Sequence, residues 1–154
     1  MKKRLGVLVL LIIIVSTVFI VKLKNIDAIE EPTEIKVYMQ GKEYLLCEGE
    51  QEFKKILEGI NQSLKKKSAI KVKAISEEDL KFLKEKGKCI ELSYDIFECD
   101  KFNINDSTEI INYDKILIPL NYKNEANVIY LGDEKGYTND GIDFKDIFLH
   151  FDIR

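Results

Sequence analysis

The sequence predicts an α+β fold: an N-terminal transmembrane helix followed by a small domain with a mainly antiparallel sheet of about seven strands and two helices packed on one face. Three observations carry this expectation. Residues 5–21, LGVLVLLIIIVSTVFIV, contain no charge. Phe53, Ile56, Leu57, Ile60 and Leu64 recur at helical spacing. Ile90, Leu92, Tyr94 and Ile96 alternate with Glu91, Ser93 and Asp95, as in a strand with one wet and one dry face.

The apolar run would span about 25 Å as a helix, just short of a hydrocarbon core of about 30 Å, and Arg4 and Lys22 can snorkel to cover the difference. A cleaved signal peptide competes with an anchor. Retention is favoured by the length of the run, by Lys22 and Lys24 directly after it, and by the poor small-x-small character of the one candidate cleavage position, after Ala28. Lys2, Lys3 and Arg4 on one side against Lys22 and Lys24 on the other bias the topology toward an inside N-terminus. The expected organisation is an anchor over 1–24, a linker over 25–34 containing Pro32, and an extracytoplasmic domain over 35–154.

Along the body, Ile35, Val37 and Met39 alternate with polar positions. Gln40-Gly41 then supplies a tight turn into Lys42–Cys47, predicting a β-hairpin. The amphipathic helix that starts near Phe53 has one apolar stripe, which needs a sheet to cover it. Ile70, Val72 and Ala74 suggest a half-buried strand. Ser76 and Asp79 form an N-cap signature for a second, short helix that Gly87 closes. After the strand around Ile90–Ile96, residues 102–120 keep β character up to ILIPL, where Pro119 requires a strand end or a sheet edge. A turn over Asn121–Asn127 precedes VIYLG, and Ile147, Leu149, Phe151 and Ile153 have strand periodicity at the C-terminus.

Charge narrows the function classes. The formal net charge is −3, yet all 27 acidic residues follow Lys24, and with five of the 24 basic residues at or before it the remainder carries −8. Phosphate backbones repel such a domain, so nucleic-acid binding is excluded as an expected role.

Chemistry-bearing residues are few. Cys47, Cys89 and Cys99 form an odd set with no C-x-x-C spacing, which gives a cysteine zinc site no support. They read as small core or strand residues, with one disulfide plus a free thiol as the alternative in an oxidising compartment. His150 is the sole histidine, and it falls on the polar face of the C-terminal strand with no nucleophile signature beside it. The loop at 133–143 gathers Asp133, Glu134, Asn139, Asp140 and Asp143, oxygen donors that a calcium ion requires, although Gly136 and Thr138 break the EF-hand pattern. Its Gly, Asn and Asp content equally suits plain turn geometry. Tyr113, Tyr122, Tyr130 and Tyr137 cluster near expected turns and suggest an exposed partner-binding patch. Asn61 and Asn105 match the glycosylation sequon, which matters only in a eukaryotic secretory pathway.

No catalytic residue, cofactor-binding residue or cofactor is expected. The preferred reading is a single-pass cell-membrane protein, held by residues 5–21, whose extracytoplasmic domain acts non-enzymatically on a protein partner as an accessory or regulatory module of the cell envelope. The alternative is a small-ligand or calcium-binding module that uses the acidic loop.

Overall fold

The computed structural model describes residues 29–64, 69–105, 107–121, 125–137, 141–143 and 149–150. The apolar run 5–21, the linker up to Ala28, Tyr122, Asn139 and Asp140, and the C-terminal apolar positions Ile147, Phe151 and Ile153 lie outside the described residues. Among the described residues no helix is long and apolar enough to cross a membrane.

Seven antiparallel strands form the main sheet in the order β2-β1-β4-β5-β7-β8-β3. These are β1 (Glu34–Met39), β2 (Lys42–Leu46), β3 (Ile70–Val72), β4 (Lys88–Ile104), β5 (Ser107–Pro119), β7 (Val128–Gly132) and β8 (Gly141–Asp143). A separate pair joins β6 (Glu125–Ala126) to β9 (Leu149–His150). The helices are α1 (Gln51–Leu64) and α2 (Glu77–Glu85). The expected α+β class and strand number are therefore present.

Local chemistry explains the turns and caps. Gln40 (φ 53°) and Gly41 (φ 79°) both take the left-handed conformation of a two-residue hairpin turn. A Cβ at Gly41 would also stand 2.9 Å from the Glu85 carbonyl oxygen, so the close approach of the helix end requires glycine there. The Ser76 hydroxyl accepts the Asp79 N–H at 3.1 Å and donates to the Asp79 carboxylate at 2.7 Å. This closes the first turn of α2 as its spacing predicted. Pro119 terminates β5 opposite Cys89, beyond the last β7 pairing at Leu117, so its missing N–H is not needed in the ladder.

The two helices do not share a face of the sheet, which corrects the sequence-based expectation. Ile35 and Val37 of β1, Ile90 and Leu92 of β4, Ile116 and Ile118 of β5, Ile129 and Leu131 of β7 and Ile142 of β8 pack with Phe53, Ile56 and Ile60 of α1. On the opposite parity Tyr38, Cys89, Leu117 and Tyr130 pack with Leu80 and Leu83 of α2. Connectivity supplies the reason. α1 carries the chain from β2 at one sheet edge to β3 at the other, and α2 brings it back to β4 in the middle, so each connection covers its own face. The face that carries Glu91, read from alternation as wet, is therefore partly roofed by a helix.

β4 runs well past Ile96. Its register with β5 shifts between Ser93 and Glu98, and the distal halves of the two strands form a hairpin through Asn105, at φ 51°. That hairpin reaches the far edge of the sheet: Ala69 forms a parallel bridge to Ile104, the Asn105 N–H donates to the Ala69 carbonyl at 2.8 Å, and Lys71 pairs with Glu109 at 2.7 Å. The sheet thus curls around its larger core, with Phe102, Ile104 and Tyr113 buried inside. Residues expected to act as linker are part of this body. Ile29 is buried in the core, its N–H donates to Asn61 Oδ1 at 2.7 Å, and the Thr33 N–H donates to the Ser93 carbonyl at 2.9 Å.

Candidate functional site

The densest polar constellation in the described residues is centred on Glu91, at 8% exposure the one charged residue among those buried. Strand alternation sets Cys89 and Glu91 on the α2 side of β4, and the β1 register aligns Tyr38 with Cys89. Tyr38 then reaches diagonally to Glu91. Leu80 and Leu83 seat α2 on this face, and Lys84, in the last turn of the helix, falls directly over the carboxylate.

The fourth member, Tyr137, comes from the loop after β7. A tight turn in which Asp133 and Gly136 exchange backbone hydrogen bonds, at 3.1 and 2.9 Å, reverses the chain there. The Asp133 side chain accepts the Lys135 N–H at 2.8 Å and holds the turn in shape. Tyr137 then folds back over Gly132, where a Cβ would lie 2.7 Å from a ring carbon, so only glycine lets the ring through.

Both Glu91 oxygens are saturated. Oε1 accepts from the Tyr137 hydroxyl at 2.7 Å and from Lys84 Nζ at 2.8 Å; Oε2 accepts from the Tyr38 hydroxyl at 2.9 Å and from Lys84 Nζ at 2.7 Å. Lys84 Nζ also stands 4.8 Å from the centre of the Tyr38 ring, within cation–π range. Burial alone would push the Glu91 carboxyl up. The Lys84 ammonium and then the Tyr137 hydroxyl outweigh it and hold the group below the usual carboxylate range. Burial, reinforced by the Glu91 charge, pushes the Tyr38 and Tyr137 phenols up. Burial likewise raises the Cys89 thiol, to about 12, against the opposing pull of Lys84.

This arrangement has a definite chemical meaning. A nucleophilic tyrosine or thiol needs a lowered pKa, and a general base needs a free lone pair aimed at a substrate. Here the phenols and the thiol are held protonated and the carboxylate accepts four hydrogen bonds from three donor groups. The constellation is a clamp that ties β1, β4, α2 and the β7–β8 loop together.

The fold sets apart Asp133 and Asp143, two of the described candidates of the acidic loop. Asp143 pairs opposite Val128 at the start of β7, where its carboxylate accepts from Asn127 at 3.2 Å, whereas Asp133 follows the other end of that strand at Gly132. Five residue steps along the chain, from Val128 to Asp133, put them roughly 16 Å apart, too far to share one ion. Among the described residues no group of three or more His, Cys, Asp or Glu is disposed to hold a metal.

Cys47 and Cys89 carry free thiols, the first exposed and the second buried. Cys89 and Cys99 lie on one strand, opposite Pro119 and Asn112 of β5, a separation of roughly 23 Å along the partner strand that no disulfide spans. His150 pairs with Glu125 in β9. The expected tyrosine patch is not a patch: Tyr113 is buried in the α1-side core and Tyr137 in the α2-side cluster.

These thiols are separable by labelling. In a Cys99→Ser background, one thiol, Cys47, is expected to react with a maleimide at the rate of an exposed cysteine, and Cys89 only after denaturation. Fast native labelling of both, counted by mass spectrometry, would contradict the burial of Cys89.

Exposed apolar side chains define the remaining surface of interest. Tyr44 and Leu45 are about half exposed on β2, whose one strand neighbour among the described residues is β1. Ile96 and Phe97 stand out from the irregular segment of β4, with Ile110 exposed on β5. Comparison with known protein families, with curated proteins and with solved structures gives no match for this chain.

Proposed function

We propose that this chain is a membrane-tethered, non-enzymatic interaction module: residues 5–21 cross the bilayer with the N-terminus inside, and the extracytoplasmic body acts as an accessory or regulatory subunit of an envelope process. The observation that carries this reading is the open edge of the sheet. β2 is exposed over residues 42–45 and displays Tyr44 and Leu45 to solvent, beside a strand edge whose outer side has no strand neighbour among the described residues. Such an edge recruits an extended segment of a partner: backbone hydrogen bonds supply affinity, and the flanking side chains select the sequence. The net charge of −8 beyond residue 24 favours a partner with basic surface. The calcium alternative loses support from the register that separates Asp133 from Asp143.

The test is site-specific photocrosslinking in intact cells, with the crosslinker at Tyr44, joined to reporters active on only one side of the membrane fused to the C-terminus. A discrete adduct of one size is expected, lost when Leu45 is changed to Asp, together with an extracytoplasmic reporter signal. Equal, diffuse crosslinking from Tyr44 and from Phe82 would overturn the edge as the contact. A cytoplasmic C-terminus would overturn the envelope assignment.

A further inference from the structure

We infer that Ile96 and Phe97 form a shallow membrane-contacting wedge, seated in the same bilayer that the apolar run 5–21 is proposed to cross. The inference rests on that anchor reading and adds to it the orientation of the body on the lipid surface.

Ile29 is fixed by its bond to Asn61, the Glu30 carbonyl accepts from the Tyr94 hydroxyl at 3.3 Å, and Thr33 is bonded to Ser93 through both its N–H and its hydroxyl. The incoming segment therefore lies beside Ser93 and Tyr94. These two residues open the irregular stretch of β4, where the register with β5 shifts. Ile96 follows Tyr94 by two residues, about 7 Å of extended chain. Val21, the last residue of the apolar run, and Ile29 are eight residue steps apart, a reach of at most about 29 Å. The end of the body that carries Ile96 and Phe97 is thus the end that the tether holds nearest the lipid.

What stands at that end is apolar and displayed. Ile96 is 68% exposed and Phe97 53%. The two are consecutive, so regular alternation would have hidden one of them against the sheet; the break in register turns both outward. Flanking Asp95 and Glu98 limit the depth, because a carboxylate does not follow into hydrocarbon. With a body of net charge −8, attraction to anionic head groups contributes nothing. The contact rests on apolar burial at the level of the interface and takes zwitterionic lipid.

The sequence contains no Trp, so Phe97→Trp creates a single emitter at the wedge and Phe82→Trp, on the exposed side of α2, a matched control. The full chain would be reconstituted into phosphatidylcholine vesicles with and without lipid brominated high in the acyl chain. Flotation of the protein with the vesicles reads the anchor. Quenching reads the wedge. Co-flotation with quenching of the Phe97→Trp emission at least about twofold stronger than that of Phe82→Trp is expected. Co-flotation with equal quenching of the two would overturn the wedge and leave the anchor standing; a blue-shifted but unquenched Phe97→Trp emission would assign the surface to a protein contact instead. Failure to float would remove the anchor and the wedge together.

Discussion

Replacing Glu91 with Ala is expected to lower the unfolding free energy by about 3–5 kcal/mol, the cost of breaking a buried ion pair by deleting one partner. The deletion leaves the Tyr38 and Tyr137 hydroxyls without their acceptor, and it strands Lys84, whose side chain is only 29% exposed. Lys84→Met should cost less, about 1–3 kcal/mol, because the carboxylate keeps two phenol donors and water can reach what the ammonium vacates. Chemical denaturation of the two variants and their double mutant measures the coupling. An E91A variant within about 1 kcal/mol of the parent would mean that the clamp is ornamental.

The same carboxylate sets a sign for the pH dependence. Its folded pKa lies below the ordinary value of 4.5, so above 4.5 its contribution is fully present. As pH falls further the unfolded chain takes up the proton first, and stability is lost down through the folded pKa. E91A should flatten that acid limb. Alkali acts through the raised groups: the Cys89 contribution is complete below its ordinary 9.0 and disappears as pH rises toward about 12, with the two buried phenols pulling the same way.

Much of the fold could be read from periodicity because periodicity reports which side of an element meets a core. The stripe Phe53, Ile56, Ile60 and the alternation Ile90, Leu92, Tyr94 both did so, and the first hairpin was specified by Gln40-Gly41. Glu91 escaped the same reasoning. Within IELSYDI it occupies a polar slot, and a polar slot on an antiparallel strand ordinarily faces water. It faces α2 instead, because the order of strands sends the second helix across the opposite face, and strand order is a non-local property that alternation does not encode. A signal was present in Tyr38 and Lys84, polar-tipped residues on the covered sides of β1 and α2, but it acquires meaning only once those elements are known to meet. The acidic loop shows the same limit of local reading. Asp133 and the neighbouring glycines do form a turn, and the purpose of that turn is to bring Tyr137 back over Gly132 onto Glu91 rather than to gather Asp133 with Asp143.

Phe53→Ala is expected to cost about 3–5 kcal/mol, through lost transfer energy and the cavity left in the α1-side core. Phe53 is fully buried there with Ile56 and Ile60. Phe82→Ala removes the same ring from the 58%-exposed position on α2 and should change stability by no more than about 0.5 kcal/mol. The pair matters because the two helices are held by different forces. α1 is fastened by apolar burial shared with five strands of the sheet, so its loss and global unfolding should coincide. α2 contains no buried residue and depends on half-covered Leu80 and Leu83 together with the Lys84–Glu91 clamp. Native-state hydrogen exchange should therefore separate the variants. E91A should raise exchange selectively in α2 and leave the α1-side strands protected, whereas F53A should raise exchange throughout. Uniform acceleration in both would mean that the two faces of the sheet unfold as one unit and that the clamp secures the whole fold rather than its second helix.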